Sequence, residues 1–214
     1  MSAQTLKERI LESSFGYSLW SASVNGQKIA AVRRMLARSG KSGGRVLDVG
    51  CGPATNVELL KDWDYVGIDL NPNYIESARA KFPQKRFEVG DATRLAITGE
   101  QFDLVFINSI MHHIDDAGCR SLVASTLPLL AAGGVVIVQE PLVPDDGQNL
   151  QKFLMKHDRG DYFRTHERWR DLFAEGGLRI AAEDVYPIKI AGVLIGWRMY
   201  SALLSALVAD ADES

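Results

Sequence analysis

Apolar residues recur along this chain in two alternating rhythms. Short continuous runs are separated by longer stretches in which apolar positions return every third or fourth residue. Leu6 to Phe15 and Gln27 to Ser39 have the helical rhythm, the second through Ile29, Val32 and Leu36, and they predict an N-terminal helical cap. Ser42-Gly43-Gly44 breaks it. A strand follows over Arg45 to Val49, then a helix from about Pro53 to Lys61, where the proline fits because a first-turn residue needs no amide hydrogen. Tyr65 to Ile68 reads as a strand, and Pro72 opens a helix over Asn73 to Lys81. Arg86 to Val89 and Leu104 to Ile107 are two more strands, and a helix runs from about Ala117 to Leu130. Ala132-Gly133-Gly134 then turns into Val135 to Gln139, whose apolar run implies burial on both faces. His166 to Glu175 is helical, Gly176-Gly177 ends it, and Leu178 to Val185 reads as a strand. A further strand is expected within Trp197 to Leu204, with helix as its competitor.

Strands alternating with helices predict an α/β fold with a doubly wound, mostly parallel sheet and right-handed crossovers. With no repeat, low-complexity tract or long linker, residues 1–214 read as one domain. Within it, 1–40 form the cap, 45–140 a cofactor-binding core, and 141–214 an acceptor-side insert and the final strands. The 214 residues are 46% apolar and 24% charged with net charge −3, so nothing draws the chain as a whole to nucleic acid, and none is expected as a partner. Ile190 to Val208 is apolar, but Arg198 would sit in mid-bilayer, which argues against a membrane span. The two cysteines, Cys51 and Cys119, suit a reducing, cytoplasmic setting, and the charged first residues do not read as a signal peptide. The pattern specifies no oligomeric state.

The chemistry concentrates where strands end. Val46-Leu47-Asp48-Val49-Gly50-Cys51-Gly52-Pro53 runs from a strand into a glycine loop. Gly50 and Gly52 allow tight turning and close approach of a ligand, which in an open α/β sheet binds at the carboxyl ends of the strands. The amides expected at the start of the next helix favour an anionic group. A dinucleotide would want a third glycine, where this chain has Thr55, and would be repelled by Asp48, which suits an ammonium instead. Asp69 closes the second strand, where a carboxylate can accept both ribose hydroxyls; its other reading is a helix cap. Leu70 beside it can cover an adenine face. Asp91-Ala92 follows the third strand, its other reading being a solvated turn.

Three carboxylates at successive strand exits, with the glycine loop, resemble the class I S-adenosylmethionine (SAM)-dependent methyltransferases. The resemblance covers about Arg45 to Glu140 and includes Asn108-Ser109-Ile110-Met111-His112-His113-Ile114, similar to the strand-four region of small-molecule methyltransferases. It implies a seven-stranded sheet with the last strand antiparallel and SAM as cofactor. Asp91 would take the adenine amino group and the Ala92 amide a ring nitrogen. The carbonyls of Asn108 and Ser109 would hold the SAM ammonium. The family usually has glycine where this chain has Ala54.

A histidine beyond strand four can take an acceptor's proton, and His113 is preferred to His112. His-His-x-Asp-Asp lacks further ligands, so no metal is assigned. Asn71-Pro72-Asn73-Tyr74 follows strand two and reads as a helix start. The acceptor side is expected from Phe15, Tyr17 and Trp20, from Glu140, and from an insert containing Asp158-Arg159-Gly160-Asp161-Tyr162-Phe163-Arg164. With the apolar run Val193-Leu194-Ile195 to Leu204, these aromatics suggest a small, partly apolar acceptor. The reading is methyl transfer to an oxygen, nitrogen or carbon nucleophile. Its rivals are a non-catalytic SAM-binding regulator, an NAD-linked oxidoreductase, and an RNA or protein methyltransferase.

Overall fold

The structure, a computed structural model, describes residues 14–95, 97–143, 160–190 and 193–207; residues 14–24, 190 and 193–196 are described for their backbone only. Its elements are α1 (Ser14–Ser39), β1 (Arg45–Val49), β2 (Asp64–Asp69), α2 (Pro72–Lys81), β3 (Arg86–Val89), β4 (Phe102–Asn108), α3 (Asp116–Thr126), β5 (Leu130–Pro141), α4 (His166–Glu175), β6 (Leu178–Ile190) and β7 (Val193–Ala206). The seven strands form one sheet in the order β3-β2-β1-β4-β5-β7-β6. Strands β1 to β5 pair in parallel, and β7 runs antiparallel between β5 and β6. The residues 197–204 are therefore strand, and strand β7 is antiparallel as the resemblance implied.

The central strands are buried on both faces, and their pleat sorts side chains in turn. Leu104 and Phe106 of β4 and Ile137 of β5 join one core with Val32 and Met35 of α1 and Ile75 of α2. Val105, Ile107, Val136 and Val138 join the other with Leu122 of α3 and Trp169 and Phe173 of α4. The same period of two carries past the apolar runs. Asp48, Asn108 and Gln139 therefore belong to the α1 face, and Glu140 to the α3–α4 face.

Two elements differ from their predicted form. Residues 53–62 make successive turns in place of a helix. Ala54, at φ 65°, continues the left-handed backbone of Gly50 and Gly52, so the helical register is broken where it should nucleate. Residues 53–62 therefore present no helix start to a ligand. Strand β5 begins at Leu130, earlier than predicted, because pairing shifts between Phe102↔Leu130 and Leu104↔Val135. The intervening Ala131–Gly134 bulge, with Gly133 at φ 69°, fits within the strand. Asn71 caps α2 as expected, its side chain accepting from the Asn73 amide with Pro72 behind it.

The glycine loop is tied to its neighbours. The amides of Gly50 and Cys51 both donate to the Ile68 carbonyl at 2.7 and 3.0 Å. Gly50 has φ 74°, and a β-carbon there would collide with Ile110 Cγ2. Gly50→Ala is expected to lower stability by about 2–5 kcal/mol, adding left-handed backbone cost to overpacking, as measured by chemical denaturation.

Candidate active site

On the α1 face, the strand ends carry a chain of hydrogen bonds. Asp48 is fully buried, and its Oδ2 accepts from Tyr65 Oη at 2.5 Å and Asn56 Nδ2 at 3.0 Å. Asn56 Oδ1 accepts from Asn108 Nδ2 at 3.1 Å. Asn108 Oδ1 accepts from Ser109 Oγ at 3.2 Å, and Ser109 Oγ accepts from Lys28 Nζ at 2.7 Å. Ser109 has φ 57°, a left-handed conformation that a non-glycine residue holds only under constraint from its surroundings. A cavity of about 170 Å³ adjoins this chain, lined by Asn25, Lys28, Ile29, Val32, Thr55, Asn56, Leu59, Asn108 and Gln139.

Asp48 does not reach the cavity itself; it stands behind Asn56. Burial pushes its carboxyl from the ordinary 3.8 up to about 6, against the two hydrogen bonds that favour the ionised form. Its Oδ1 is buried and accepts no hydrogen bond among the described residues. A carboxylate kept at such a disadvantage points to use rather than to stability.

Asp69 Oδ2 accepts from the Gly52 amide at 2.8 Å, and its Oδ1 accepts from the Asn71 amide at 2.9 Å. Since Asn71 is the cap of α2, Asp69 instead joins the strand exit to the glycine loop. Leu70 beside it is 70% exposed. Asp91 lies exposed at the exit of β3, and its Oδ1 accepts from both the amide and the hydroxyl of Thr93 at 2.8 Å. Those bonds hold its carboxyl below the usual range and make it the cap of the short turn Ala92–Arg94.

On the opposite face, Glu140 is fully buried at the end of β5. Its Oε1 accepts from the amides of Ile110 and Met111 at 2.9 and 2.8 Å, and Oε2 lies 2.6 Å from His112 Nδ1. His112 is buried against the ring of Phe163 at 5.2 Å, and the Tyr162 amide donates to its carbonyl at 3.0 Å. His113 is exposed, its ring centroid 4.1 Å from that of His112. Arg164, 6% exposed, donates to the carbonyls of Met111 and Ile114 at 3.0 and 2.8 Å and to Asp116 at 2.7 Å. The histidine turn is thus pinned from three sides.

The α/β sheet agrees with the comparisons to known proteins. Residues 46–134 match the family model described as a methyltransferase domain. This segment is a methyltransferase domain of the SAM-dependent kind. A trans-aconitate 2-methyltransferase of Methylobacterium radiotolerans is 34% identical over 171 residues, covering 78% of this chain and 58% of the relative. Another from Variovorax paradoxus is 35% identical over 101 residues, covering 45% of this chain and 38% of the relative. The chain therefore spans well under two thirds of the length of these relatives. A SAM-dependent methyltransferase of Leishmania major shares the fold at TM-score 0.69 and 16% identity, covering 85% of this chain and 73% of that one.

The loop of this methyltransferase domain fits the family's cofactor. A β-carbon built at Gly52, at φ 54°, meets no atom within 4 Å, so its backbone borders open space beside Asp69. The expected aromatics Phe15, Tyr17 and Trp20 have side chains outside the described residues, as do Asp158 and Arg159 altogether. Met199, Tyr200, Ala202, Leu203 and Leu204 pack into the cores, and none lines the cavity. The inference of a partly apolar acceptor loses that support.

Sequence reasoning missed Lys28 and Asn56, and it placed Arg164 in the acceptor-side insert without its role in holding the histidine turn. A signal for Lys28 was present: Asn25, Lys28, Ile29 and Val32 follow i, i+3, i+4, i+7 spacing, a face that turns polar at one end. Asn56 had none, since its bond to Asn108 joins residues 52 positions apart in the chain.

The raised Asp48 carboxyl makes a pH prediction. Its folded value lies above its ordinary one, so the unfolded chain gives up the proton first, and stability falls as pH rises from about 4 to about 6. Asp48→Asn should remove that fall and gain on the parent by on the order of 1–3 kcal/mol at neutral pH relative to pH 4. Denaturation curves at both pH values check it; a constant difference between the two proteins would mean Asp48 titrates normally.

Proposed function

We propose that this chain catalyses methyl transfer from SAM to a small-molecule acceptor bearing a carboxylate, at the carboxyl ends of β1, β2 and β4. The observation that carries the reading is Asp69, which bonds the glycine-loop amide and stands beside exposed Leu70 and open Gly52. The names of the relatives support a small carboxylic acid as acceptor class. Residues 1–40 and 141–214 would enclose the acceptor as parts of the same domain.

When bound, SAM supplies a methyl group made electrophilic by its sulfonium. The rest of the chemistry falls to the chain. Asp69 accepts hydrogen bonds from vicinal hydroxyls while holding the Gly52 amide. Leu70 covers an aromatic base. Asp91 accepts from an exocyclic amine, and the Ala92 amide meets a ring nitrogen. Asp48 acts through Asn56, keeping the amide chain to Asn108 in one arrangement. Methyl transfer is an in-line displacement, so positioning and exclusion of water supply most of the rate. His113 is exposed on the turn that Glu140, His112 and Arg164 hold, and it accepts the acceptor's proton where one must leave. His112 serves as its support.

Two experiments test this. SAM and S-adenosylhomocysteine should raise the melting temperature, by about 2.7 kcal/mol of added stability at 100 times the dissociation constant, and NAD should not. Asp69→Ala should weaken S-adenosylhomocysteine binding by roughly 1.5–3 kcal/mol in a folded protein; calorimetry giving the parent affinity would remove Asp69 from the site.

With an acceptor whose nucleophile carries a proton at neutral pH, turnover should rise with pH through neutrality, and His113→Ala should lower it about 10²–10⁴-fold at unchanged S-adenosylhomocysteine affinity; a carboxylate nucleophile, already ionised, should show neither effect. Near-normal turnover in single variants of both histidines would leave positioning as the whole of catalysis.

A further inference from the structure

Lys28 sits where a helix, a strand end and a cavity meet. Its carbonyl accepts from Gln139 Nε2 at 3.1 Å, which pins the backbone of α1 to β5. The next-door Gln27 exchanges two bonds with the backbone of Lys189 on β6, at 2.6 and 2.9 Å. At the other end of the side chain, Nζ donates to Ser109 Oγ at 2.7 Å, and that hydroxyl donates onward to Asn108. The ammonium is therefore fixed at both root and tip before any ligand arrives. Most lysines keep their four-carbon stem mobile, and fixing one carries an entropic cost of up to about 2 kcal/mol.

The cavity beside it has a lining that is polar on one side, through Asn25, Thr55, Asn56, Asn108 and Gln139. Among the described lining residues, the charged group is the Lys28 ammonium. That polar lining suits the polar end of an amino-acid or small-acid ligand. Ser109, which orients the ammonium, is also the non-glycine residue held at φ 57° at the exit of β4. Fixed charge, amide donors and backbone constraint thus converge on one small space.

We propose that Lys28 is the carboxylate-binding residue of this cavity. The proposal rests on the methyltransferase reading and deepens it. Two ligands bring a carboxylate to that place, the methionyl end of SAM and the acceptor itself. Lys28 donates a charge-assisted hydrogen bond to either, with Asn108 and Asn56 fixing the geometry through Ser109.

Calorimetry on the parent, Lys28→Gln and Lys28→Arg tests it with three probes. These are S-adenosylhomocysteine, 5′-methylthioadenosine, which lacks the amino-acid end, and trans-aconitate added to the cofactor-free and the S-adenosylhomocysteine-saturated protein. If Lys28 holds the methionyl carboxylate, Lys28→Gln weakens S-adenosylhomocysteine about 10–100-fold and leaves 5′-methylthioadenosine unchanged. If it holds the acceptor, S-adenosylhomocysteine is unchanged and trans-aconitate binding is lost. Lys28→Arg, which keeps the charge, should retain part of whichever binding is lost, and a thermal melt shows that each variant folds. A Lys28→Gln protein that folds and binds all three probes as the parent does overturns the assignment. So does a parent that binds neither S-adenosylhomocysteine nor trans-aconitate. A parent that binds trans-aconitate through Lys28 but not S-adenosylhomocysteine upholds the lysine and defeats the methyltransferase reading.

Discussion

The pleat of the central strands, buried on both faces, is the constraint on which the site depends. A strand with one solvated face can end in any polar residue without consequence. Here Val136, Ile137 and Val138 alternate between two sealed cores, so Gln139 and Glu140 emerge on opposite sides of the sheet. Gln139 meets α1, Tyr186 and Ser201. Glu140 meets two amides and His112. Adjacent residues thus organise separate halves of the site, one around the cavity and one around the histidine turn. A shift of one residue in β5 would exchange them and bury each among the wrong partners.

The two buried carboxylates show how differently a fold can treat the same group. Glu140 has hydrogen-bond donors at both oxygens, so its burial is compensated where it sits. Asp48 has donors at Oδ2 alone, and its carboxyl titrates high because burial outweighs them. The first arrangement builds a rigid support. The second stores a disadvantage next to the glycine loop, where Ala54 and Ser109 also hold left-handed backbone. Constraint gathered at three positions around one loop is more readily explained by a ligand site than by folding needs.

Neighbouring elements then set what the site can recognise. Asp69 spans from β2 to the loop after β1, and Lys28 spans from α1 to the end of β4. The first joins two strand exits and the second joins a helix to a strand exit. Either would be out of place if the parallel order β2-β1-β4-β5 were changed.

Much of this was determined by the sequence alone. The apolar runs gave β1 and β3 at their true limits, the spacing of His166 to Glu175 gave α4, and Asp48, Asp69 and Asp91 fall at or just past the ends of β1, β2 and β3 as read. These signals are local, because strand pleat and helix turn act over a few residues. The turn-rich segment 53–62 was misread as helix because composition does not reveal that Ala54 sits at φ 65°. Only the tertiary structure decided which aspartate is buried, which histidine is covered, and that Lys28 reaches Ser109 across 81 positions of chain. Burial and pairing at that range follow from how the sheet is ordered and what covers it, and no periodicity within one segment encodes either.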